Sequence, residues 1–441
     1  MFYINREIEL TADILRKMIT RFNLNVAPKI KKYQDYYAGK QDILNKTYTD
    51  PTKPCNRTTT NFCRNIVNTY VGYLARPSYI SYSSEQDIAD IMEVLRYNDY
   101  NAADAAFLQD ALISGVANEL MYNDSEGHTR FRLINPLTSF GVYDDSLTGD
   151  LLYFIRFYEV SEWDDSNLYN VDVYTDSLIK HYQMSGLNGT LIFIGEEPHY
   201  FSQCPANIFV MPDEKSIFDS IMMLQDAYNT ILSAEIDDYQ AFCDAYLALY
   251  GVDLDEESVV GMKENRVLLF PFENAKAEWL TKNINDAQVE NILKRIQDNI
   301  YRIAQCPDFS SENFVSGVSS GVAIRFKLSG IETLAAPIEA DFKKALQRRV
   351  EIICGIASLK MGEEIFRDIS IDFKRNLPED NASLANLVNS LKGTVSDKTL
   401  LSLLPFIDDV NAEYEAIQEQ KQANMAMYSF GSPADDTEDD I

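Results

Sequence analysis

The chain has 441 residues, of which 68 are acidic and 39 are basic, so its formal net charge is −29 at pH 7. A hydrophobic fraction of 46% is typical of a folded protein and excludes wholesale disorder, and the length allows more than one lobe. The excess of acid argues against an ordinary nucleic-acid-binding protein, because such proteins present a positive face to the phosphates.

The sequence also argues against a membrane protein and against a metal protein. No stretch approaches the roughly 20 apolar residues that span a bilayer, and the first residues do not resemble a signal peptide. The six cysteines form no CxxC pair and the three histidines are dispersed. We therefore expect free thiols in a reducing cytoplasm and no zinc site.

The first 116 residues are predicted to be mainly helical. Apolar residues at three- and four-residue steps predict one helix over 8–37 and a second over 61–74, which Arg76-Pro77 ends. Two further helices are predicted around 87–97 and 102–116. This part of the chain is therefore predicted to contain four helices.

From residue 119 to about 209 the pattern changes to that of strands. Short β-rich runs at 131–136, 151–158, 171–174 and 191–194 are separated by turn residues. Short strands at close spacing favour an antiparallel sheet. Together with the helices before and after it, this sheet predicts an α+β fold.

Helical periodicity returns at residue 216. An apolar stripe over 217–242 predicts a helix that continues to about residue 249. An insert over 251–285 contains strand-like pieces at 266–270 and 277–280. A second amphipathic helix follows, and its apolar positions are Val289, Ile292, Ile296, Ile300 and Ile303.

A loop rich in serine and glycine separates this helix from a longer one. The first helix ends at Cys306-Pro307, and the second is predicted over 321–354. Pro337 lies within the second helix, where it removes a backbone donor and predicts a kink. The same helix carries a cluster of cations, Lys343, Lys344, Arg348 and Arg349.

The last part of the chain is predicted to contain one strand, several helices and a tail. Residues 369–373 alternate and predict a lone strand that pairs with the earlier sheet. Helices are predicted from about residue 383 to 422. The end of the chain is rich in acid and is predicted to be disordered.

No catalytic constellation is evident, and we expect neither a cofactor nor a catalytic residue. The glycines of the loop are followed by Val322 and Ala323, where a phosphate-binding motif needs a lysine and a hydroxyl. Asp144-Asp145 and Asp237-Asp238 are paired carboxylates that a metal-dependent nuclease could use. The first pair fits a turn between strands better and the second the solvent face of a helix.

Several short motifs occur in a shared order along nearly the whole chain. They are Tyr33-x-x-Tyr36-Tyr37-x-Gly39-Lys40, Asn61-Phe62-x-x-Asn65-Ile66-Val67, Leu224-x-Asp226-Ala227-Tyr228-Asn229, Cys306-Pro307-Asp308 and Ser320-Gly321-Val322-Ala323-Ile324. With these motifs the chain resembles the portal proteins of tailed bacteriophages, in particular the long-tailed-phage type. Arg76 departs from the family, in which a glycine is common nearby.

The resemblance implies a ring, usually of twelve subunits, at one vertex of the viral head. Double-stranded DNA would pass through its channel without sequence specificity. The implied partners are the terminase large subunit, the major capsid and scaffolding proteins, and a head-tail adaptor. Such a protein is not an enzyme, needs no membrane, and belongs to the virion after assembly in the host cytoplasm.

The resemblance also implies a division of the chain into the parts of a portal. Residues 1–215 would form an α/β wing that 321–378 complete, and 216–244 and 287–305 two stem helices. Residues 245–286 would form a small α/β clip and 306–320 a tunnel loop. The remaining parts are the kinked helix 321–354, a helical crown over 379–422 and a disordered acidic tail over 423–441.

Residue roles follow from this division. The loop residues that would line the narrowest point of the channel are Asn313, Phe314, Val315 and Ser316. Lys294, Arg295 and Arg302 on the second stem helix would face DNA or, equally, pair with carboxylates of neighbouring subunits. The four cations of the kinked helix are expected to form salt bridges between subunits, and Tyr33, Tyr36 and Tyr37 are expected to pack.

Two other functions compete with a portal. One is a capsid-associated adaptor that has a similar lobe but no channel. The other is a metal-dependent nuclease that uses the paired aspartates. The acidity of the chain fits a channel, because a wall through which DNA slides should not hold the phosphates.

Overall fold

The protein is described by a computed structural model that covers most of the chain. The described residues are 2–48, 53–76, 79–160, 167–243, 246–250, 276–280, 286–309, 321–356, 365–374, 381–402, 404, 407 and 410–429. The chain divides into two compact units. The first consists of Met1–Asp308 with Ser329–Asn376, and the second of Phe309–Leu328 with Leu377–Ile441.

The first predicted helix is two helices in the structure. α1 spans Ala12–Asn25 and α2 spans Ala27–Tyr37. The prediction of one helix over 8–37 was wrong because Pro28 favours the first turn of a new helix, where its missing N–H costs nothing. Ile8 lies before α1 and is exposed, so it does not belong to the apolar stripe.

The next three helices confirm the prediction to within two residues. They are α3 at Phe62–Leu74, α4 at Ala89–Tyr97 and α5 at Tyr100–Ser114. The side chain of Asn61 accepts a hydrogen bond from the amide of Arg64 and so caps α3. Gly115 ends α5 with a positive φ of 79°, and a Cβ there would meet the carbonyl of Glu214.

The strands follow the helices in chain order. They are β1 at Phe2–Ile4, β2 at Ile80–Ser83, β3 at Val116–Asn123, β4 at Thr129–Ile134, β5 at Ser139–Asp144, β6 at Leu151–Glu159, β7 at Leu168–Tyr174, β8 at Leu178–Ser185, β9 at Ile192–Pro198, β10 at Ala206–Val210, β11 at Tyr246–Tyr250, β12 at Lys276–Leu280 and β13 at Ser370–Phe373.

The largest sheet has six strands in the order β1-β5-β6-β7-β8-β9. Its pairs are antiparallel, as predicted, except that β1 pairs with β5 in parallel. One face of this sheet packs against α1 and forms an apolar core. A second sheet in the same unit has three strands in the order β10-β3-β4. Its strands β3 and β4 precede β5 in the chain, and β10 follows β9. The α+β class is therefore confirmed.

The late strand β13 pairs with a strand that the sequence analysis missed. β13 and β2 form a two-stranded antiparallel sheet in which Ile371 lies opposite Tyr82. The prediction that 369–373 pairs with the earlier sheet was therefore wrong. The short β2 follows Pro77 and precedes a helix, so its four residues gave too little pattern for a sequence-based assignment.

The apolar stripe after residue 216 forms α6 at Met222–Cys243. The predicted extension of this helix to about residue 249 was wrong, because β11 begins at Tyr246 and pairs with β12. The strand predicted at 277–280 is confirmed by β12, whereas 266–270 lie outside the described residues. The second amphipathic helix is α7 at Asp286–Ile303.

The longest helix, α8, spans Gly321–Cys354 and includes Pro337. Its apolar side packs into the first unit through Ile331, Ile338, Phe342 and Leu346, which are all buried. This arrangement confirms the predicted helix and its apolar face. The kink at Pro337 stays a prediction.

The described part of the second unit contains three further helices after α8. They are α9 at Asn381–Leu391, α10 at Asp397–Ser402 and α11 at Val410–Ser429. α11 extends seven residues beyond 422, where the acidic tail was predicted to begin, and 430–441 lie outside the described residues. Among the described residues no helix is long and apolar enough to cross a membrane.

Candidate functional site

The cations that the sequence analysis selected lie on one side of α7. Lys294, Arg295 and Arg302 are all exposed. Arg295 and Arg302 are seven residues apart, which is about two helical turns and about 10 Å along the axis. Lys294 lies about 100° around the helix from Arg295. The structure therefore brings the three predicted residues onto one exposed face.

The cations of α7 are not neutralised within the described part of the chain. Arg302 donates from Nη2 to the amide oxygen of Asn299 at 2.7 Å. No carboxylate of a described residue pairs with Lys294 or Arg295. These side chains are therefore available to a ligand or to another subunit.

The carboxyl end of α7 is held by α3. Tyr301 packs edge-on against Phe62, with ring centroids 5.8 Å apart, and its hydroxyl accepts a hydrogen bond from Asn65 at 3.0 Å. The hydroxyl of Tyr70 donates to the carbonyl oxygen of Ala304 at 3.0 Å, directly after the helix. These contacts fix the end of α7 that carries Arg302.

The four residues predicted to line the narrowest point lie outside the described residues. They are Asn313, Phe314, Val315 and Ser316. The described chain reaches Phe309 on one side and resumes at Gly321 on the other. Their role remains a prediction.

Three of the four cations of α8 pair within their own chain, and buried Arg349 corrects the expectation of a salt bridge between subunits, whereas the expectation for Lys343 stays a prediction. Arg349 is fully buried and pairs within its own chain with Asp104 and Glu119. Arg348 pairs with Glu351 at 2.8 Å and Lys344 with Asp341 at 2.8 Å. The expectation for Arg349 was wrong because a sequence shows that this residue is charged but does not show that it is buried within its own chain.

Tyr33 and Tyr36 pack in the core, as predicted, whereas Tyr37 is half-buried. Tyr33 and Tyr36 are buried, and their hydroxyls donate to the carboxylates of Asp219 and Asp226 at 2.6 and 2.8 Å. Burial and the hydrogen bond to Asp219 raise the pKa of Tyr33 well above its ordinary value. Both tyrosines therefore stay protonated and tie α2 to the start of α6.

The paired aspartates are occupied by protein groups. Asp144 accepts a hydrogen bond from the hydroxyl of Ser146 at 2.7 Å and lies 3.5 Å from Arg6. Asp237 accepts from Lys46 at 2.8 Å and from Asn56 at 2.6 Å. The expectation that Asp237 lies on the solvent face of a helix was wrong, because it is 7% exposed. Neither pair is arranged as a metal site.

The described part of the chain gives little support for a metal site or a small-molecule site. There, no group of three or more His, Cys, Asp and Glu residues could hold a metal ion. A cleft of about 830 Å³ is lined by cations such as Arg6 and Lys180 and by acids such as Asp176 and Glu351. Its mixed charge selects no class of ligand.

One set of polar residues on α6 was not predicted from the sequence. Four polar side chains of α6 are buried, and they are Gln225, Asn229, Ser233 and Asp237. The buried side of α6 was predicted from its apolar stripe alone, although the regular spacing of these four polar residues is visible in the sequence.

Comparison with known proteins finds similarity over most of the chain. A family model described as "Phage portal protein, SPP1 Gp6-like" matches residues 17–426. A relative named "Portal protein" from Bacillus phage SPP1 is 21% identical over 410 residues, which cover 88% of this chain and 80% of the relative. A "Portal protein" from Clostridium phage phiCD119 is 21% identical over 436 residues, which cover 91% and 94%.

Proposed function

We propose, from the premise that this chain belongs to the SPP1 Gp6-like family of phage portal proteins, that it forms a ring-shaped DNA channel in the virion. The ring would contain twelve subunits and occupy one vertex of the capsid. Double-stranded DNA would enter and leave through its axis without sequence-specific contacts. The protein would act as a structural conduit and would not catalyse a reaction.

Each part of the chain has a proposed place in this ring. Residues 1–215 form the wing, completed by 321–378. Helix α6 lies within the first stem segment, and α7, apart from Asp286, lies within the second. The β11–β12 hairpin lies in the segment 245–286, which we assign to the clip. Residues 306–320 form the tunnel loop, and the helices of the second unit from residue 379 onward form the crown.

Exposed apolar side chains on the proposed stem support assembly with neighbours. On α6, Met223 is 85% and Tyr239 is 49% exposed, and on α7, Ile292 is 39% and Ile303 is 45% exposed. Isolated apolar residues at a surface are ordinary, but Ile292 and Ile303 are 11 residues apart and so share one side of α7, which a neighbouring subunit would cover. A head-to-tail contact that closes on itself produces a ring.

The cations of α7 support a channel. Lys294, Arg295 and Arg302 are exposed positive charges on a chain of net charge −29. In a stem that lines the channel they would steer the duplex, while the acidic surroundings would keep it from binding tightly. We place Asn313, Phe314, Val315 and Ser316 at the narrowest point.

The proposed partners are those of a portal in a packaging head. The terminase large subunit would dock during packaging, and a head-tail adaptor would replace it afterwards. The major capsid and scaffolding proteins would surround the ring during assembly. No described residue identifies which surface contacts each partner.

The family match over residues 17–426 carries this proposal. The experiment that tests it is native mass spectrometry of the purified protein together with electron microscopy of single particles. Twelve copies of the 50.2 kDa chain weigh about 600 kDa, and end-on views should show a ring with a central hole.

The same measurement separates the competing functions. A compact dimer or a small open oligomer, with capsid and scaffolding proteins present, would contradict the ring and favour an adaptor without a channel. Metal-dependent DNA cleavage that is lost in Asp144→Ala would favour a nuclease.

A further inference from the structure

Helix α6 buries a row of polar side chains, where a helix normally buries apolar ones. Gln225, Asn229 and Ser233 are each 0% exposed, and Asp237 is 7% exposed. They are spaced by four residues and so follow one side of the helix. Buried polar groups are costly unless they are hydrogen-bonded, so this row requires partners of matching spacing.

The partners are backbone amides of the segment 56–62, in which residues 56–61 lie outside regular secondary structure and Phe62 begins α3. The amide of Asn56 donates to Asp237 at 2.6 Å, that of Thr58 to Ser233 at 3.0 Å, that of Thr60 to Asn229 at 2.9 Å and that of Phe62 to Gln225 at 3.0 Å. Every second residue of the segment thus donates to every fourth residue of the helix, in antiparallel order.

The two repeats fit because their lengths are nearly equal. Four residues of an α-helix rise about 6.0 Å, and two residues of an extended chain rise about 6.6 Å. The side chains of α6 therefore take the place that a neighbouring strand would have. Gln225 also returns a hydrogen bond from Nε2 to the carbonyl oxygen of Thr60 at 2.7 Å.

Further side chains fix the row at its end and at its centre. Lys46 and Tyr48 donate to Asp237 at 2.8 and 3.1 Å, and Asn229 donates to the amide oxygen of Gln41. Partial burial acts to raise the pKa of Asp237, but the hydrogen bonds from Lys46, Asn56 and Tyr48 outweigh it and lower this pKa below its ordinary value. Asp237 is therefore an ionised acceptor at neutral pH.

The segment leads directly into α3, which holds the second helix of the proposed stem. Asn65 and Tyr70 of α3 bind Tyr301 and the carbonyl of Ala304 at the end of α7. Residues 56–70 therefore contact α6 through the polar row and α7 through α3. A shift of this segment along α6 would change the height of one helix relative to the other.

A hydrogen-bonded row resists a shift of the segment along α6 more strongly than apolar packing does. Apolar contacts are non-directional and tolerate small displacements, whereas hydrogen bonds weaken steeply away from their preferred geometry. A displacement of half a repeat, about 3 Å, would leave all four amides without their acceptors. Only the observed register satisfies all four together.

We propose that Gln225, Asn229, Ser233 and Asp237 lock the axial position of α6 against the segment 56–62. The lock positions the DNA-facing helices while force acts along the channel. This inference rests on the proposed function, because only a stem under axial load needs a fixed height. The four side chains are positioning residues and do not themselves contact DNA.

Hydrogen exchange and DNA packaging, both with assembled rings, test the lock. Ser233→Ala removes one acceptor and Asn229→Leu another, and both should speed exchange of peptides covering 56–62 at least tenfold. Packaging per assembled ring should fall at least threefold. Ala234→Ser, which adds a hydroxyl at the exposed neighbouring position, is the matched control and should leave both unchanged.

Rescue separates positioning from general stability. Ser233→Thr keeps a hydroxyl acceptor and should restore slow exchange and packaging, although its extra methyl group perturbs the same site. A variant matched in melting temperature to Ser233→Ala, but altered away from the row, should package normally per ring. If Ser233→Ala packages as well per ring as the unaltered protein, the lock is wrong.

The lock and the proposed function fail in different ways. If the unaltered protein forms no ring or packages no DNA, the channel function fails, and rapid exchange of 56–62 in that protein would overturn the lock as well. If Asn229→Leu does not assemble, Ser233→Ala, which removes only one hydroxyl, decides the question.

Discussion

At the scale of single residues, Arg349 shows how a charge can serve the fold. Its guanidinium donates from Nε and Nη2 to the two carboxylate oxygens of Glu119 at 2.8 Å each, and from Nη1 to Asp104. The hydroxyl of Tyr82 completes the group by donating to Asp104 at 3.3 Å. This cluster joins α8 to α5, β3 and β2.

Replacing Arg349 should destabilise the first unit strongly. Arg349→Met would leave two carboxylates buried without their cation, and such changes cost about 3–5 kcal/mol of unfolding free energy. Arg349→Lys should rescue little of this, because lysine lacks the planar fork that binds both oxygens of Glu119. Chemical denaturation of the variants measures the loss.

The matched control for Arg349 is an exposed pair on the same helix. Lys344 is paired with Asp341, but its side chain is 79% exposed. Lys344→Ala should therefore change the unfolding free energy by less than about 1 kcal/mol. Equal losses in both variants would contradict a structural role for the buried cluster.

The environment of Asp110 on α5 predicts how the stability of the protein depends on pH. Burial raises the pKa of Asp110 to about 7, and no described residue donates a hydrogen bond to it or pairs with it. The unfolded chain releases this proton near pH 4, so the folded state binds more protons between about pH 4 and 7. Stability should therefore fall as pH rises through this range.

Asp110→Asn should remove this loss. At pH 8 the variant should be more stable by on the order of 2 kcal/mol, whereas at pH 4 the two proteins should be similar. Melting temperatures measured between pH 4 and 8 test this. The exposed Glu93→Gln on α4 is the control and should leave the pH profile unchanged.

The cations of α8 show what the sequence could and could not predict at this scale. Neighbours in sequence on a helix point about 100° apart, so Arg348 is half-buried while Arg349 is fully buried. The sequence shows that both are basic. It cannot show that Asp104 and Glu119, more than 200 residues earlier, lie close enough to pair with one of them.

At the scale of elements, periodicity predicted the long helices well. α3, α7 and α8 were located because each has an apolar stripe and a capping or breaking residue at one end. The errors concerned short strands, the boundary between α1 and α2, and the end of α6. The strand β1 has three residues, and its parallel pairing with β5 depends on contacts about 140 residues away.

The helix α6 illustrates a different reason for a missed feature. Its apolar stripe was visible, and we assigned its buried side from that stripe alone. The structure buries a polar row as well, because a segment about 170 residues earlier supplies matching amides. Only the fold brings that segment to the helix, so the sequence could not decide which side is buried.

The face of α7 leads to a prediction that also decides between its two interpretations. Arg295→Glu with Arg302→Glu reverses two exposed charges that lie on one side of the helix. If they face DNA, rings should form normally and packaging at low salt should fall roughly two- to tenfold, with the deficit shrinking as salt screens the charges.

The alternative for α7 gives a different result. If the arginines pair with carboxylates of neighbouring subunits, the double variant should form fewer rings, while packaging per ring stays normal. Native mass spectrometry counts the rings, and DNA protected from nuclease measures packaging. Lys343→Glu with Lys344→Glu, on the exposed side of α8, is the control.

At the scale of the whole molecule, the net charge and the proposed ring fit each other. A chain of charge −29 repels both DNA and its own copies, so the proposed ring would need specific contacts to assemble and its channel would hold DNA loosely. The order of motifs along the chain predicted the family. The number of subunits and the width of the channel depend on contacts between subunits, which one sequence does not contain.

The loop 313–316 makes the prediction that tests this molecule-wide view. Asn313, Phe314, Val315 and Ser316 carry no charge, so at the narrowest point they would contact DNA through size and shape. Deleting these four residues should lower the amount of packaged DNA several-fold, because the channel would then be wider, while rings of about 600 kDa still form.

Replacing the same four residues by glycine and serine at constant length is the control for this deletion. It keeps the length of the loop but removes the bulk of Phe314 and Val315. If the width of the channel at this loop matters, the amount of DNA packaged by the replacement variant should lie between the amounts packaged by the deletion variant and by the unaltered protein. Full packaging by the deletion variant would mean that the narrowest point lies elsewhere, and α7 would then be the element of the channel closest to DNA.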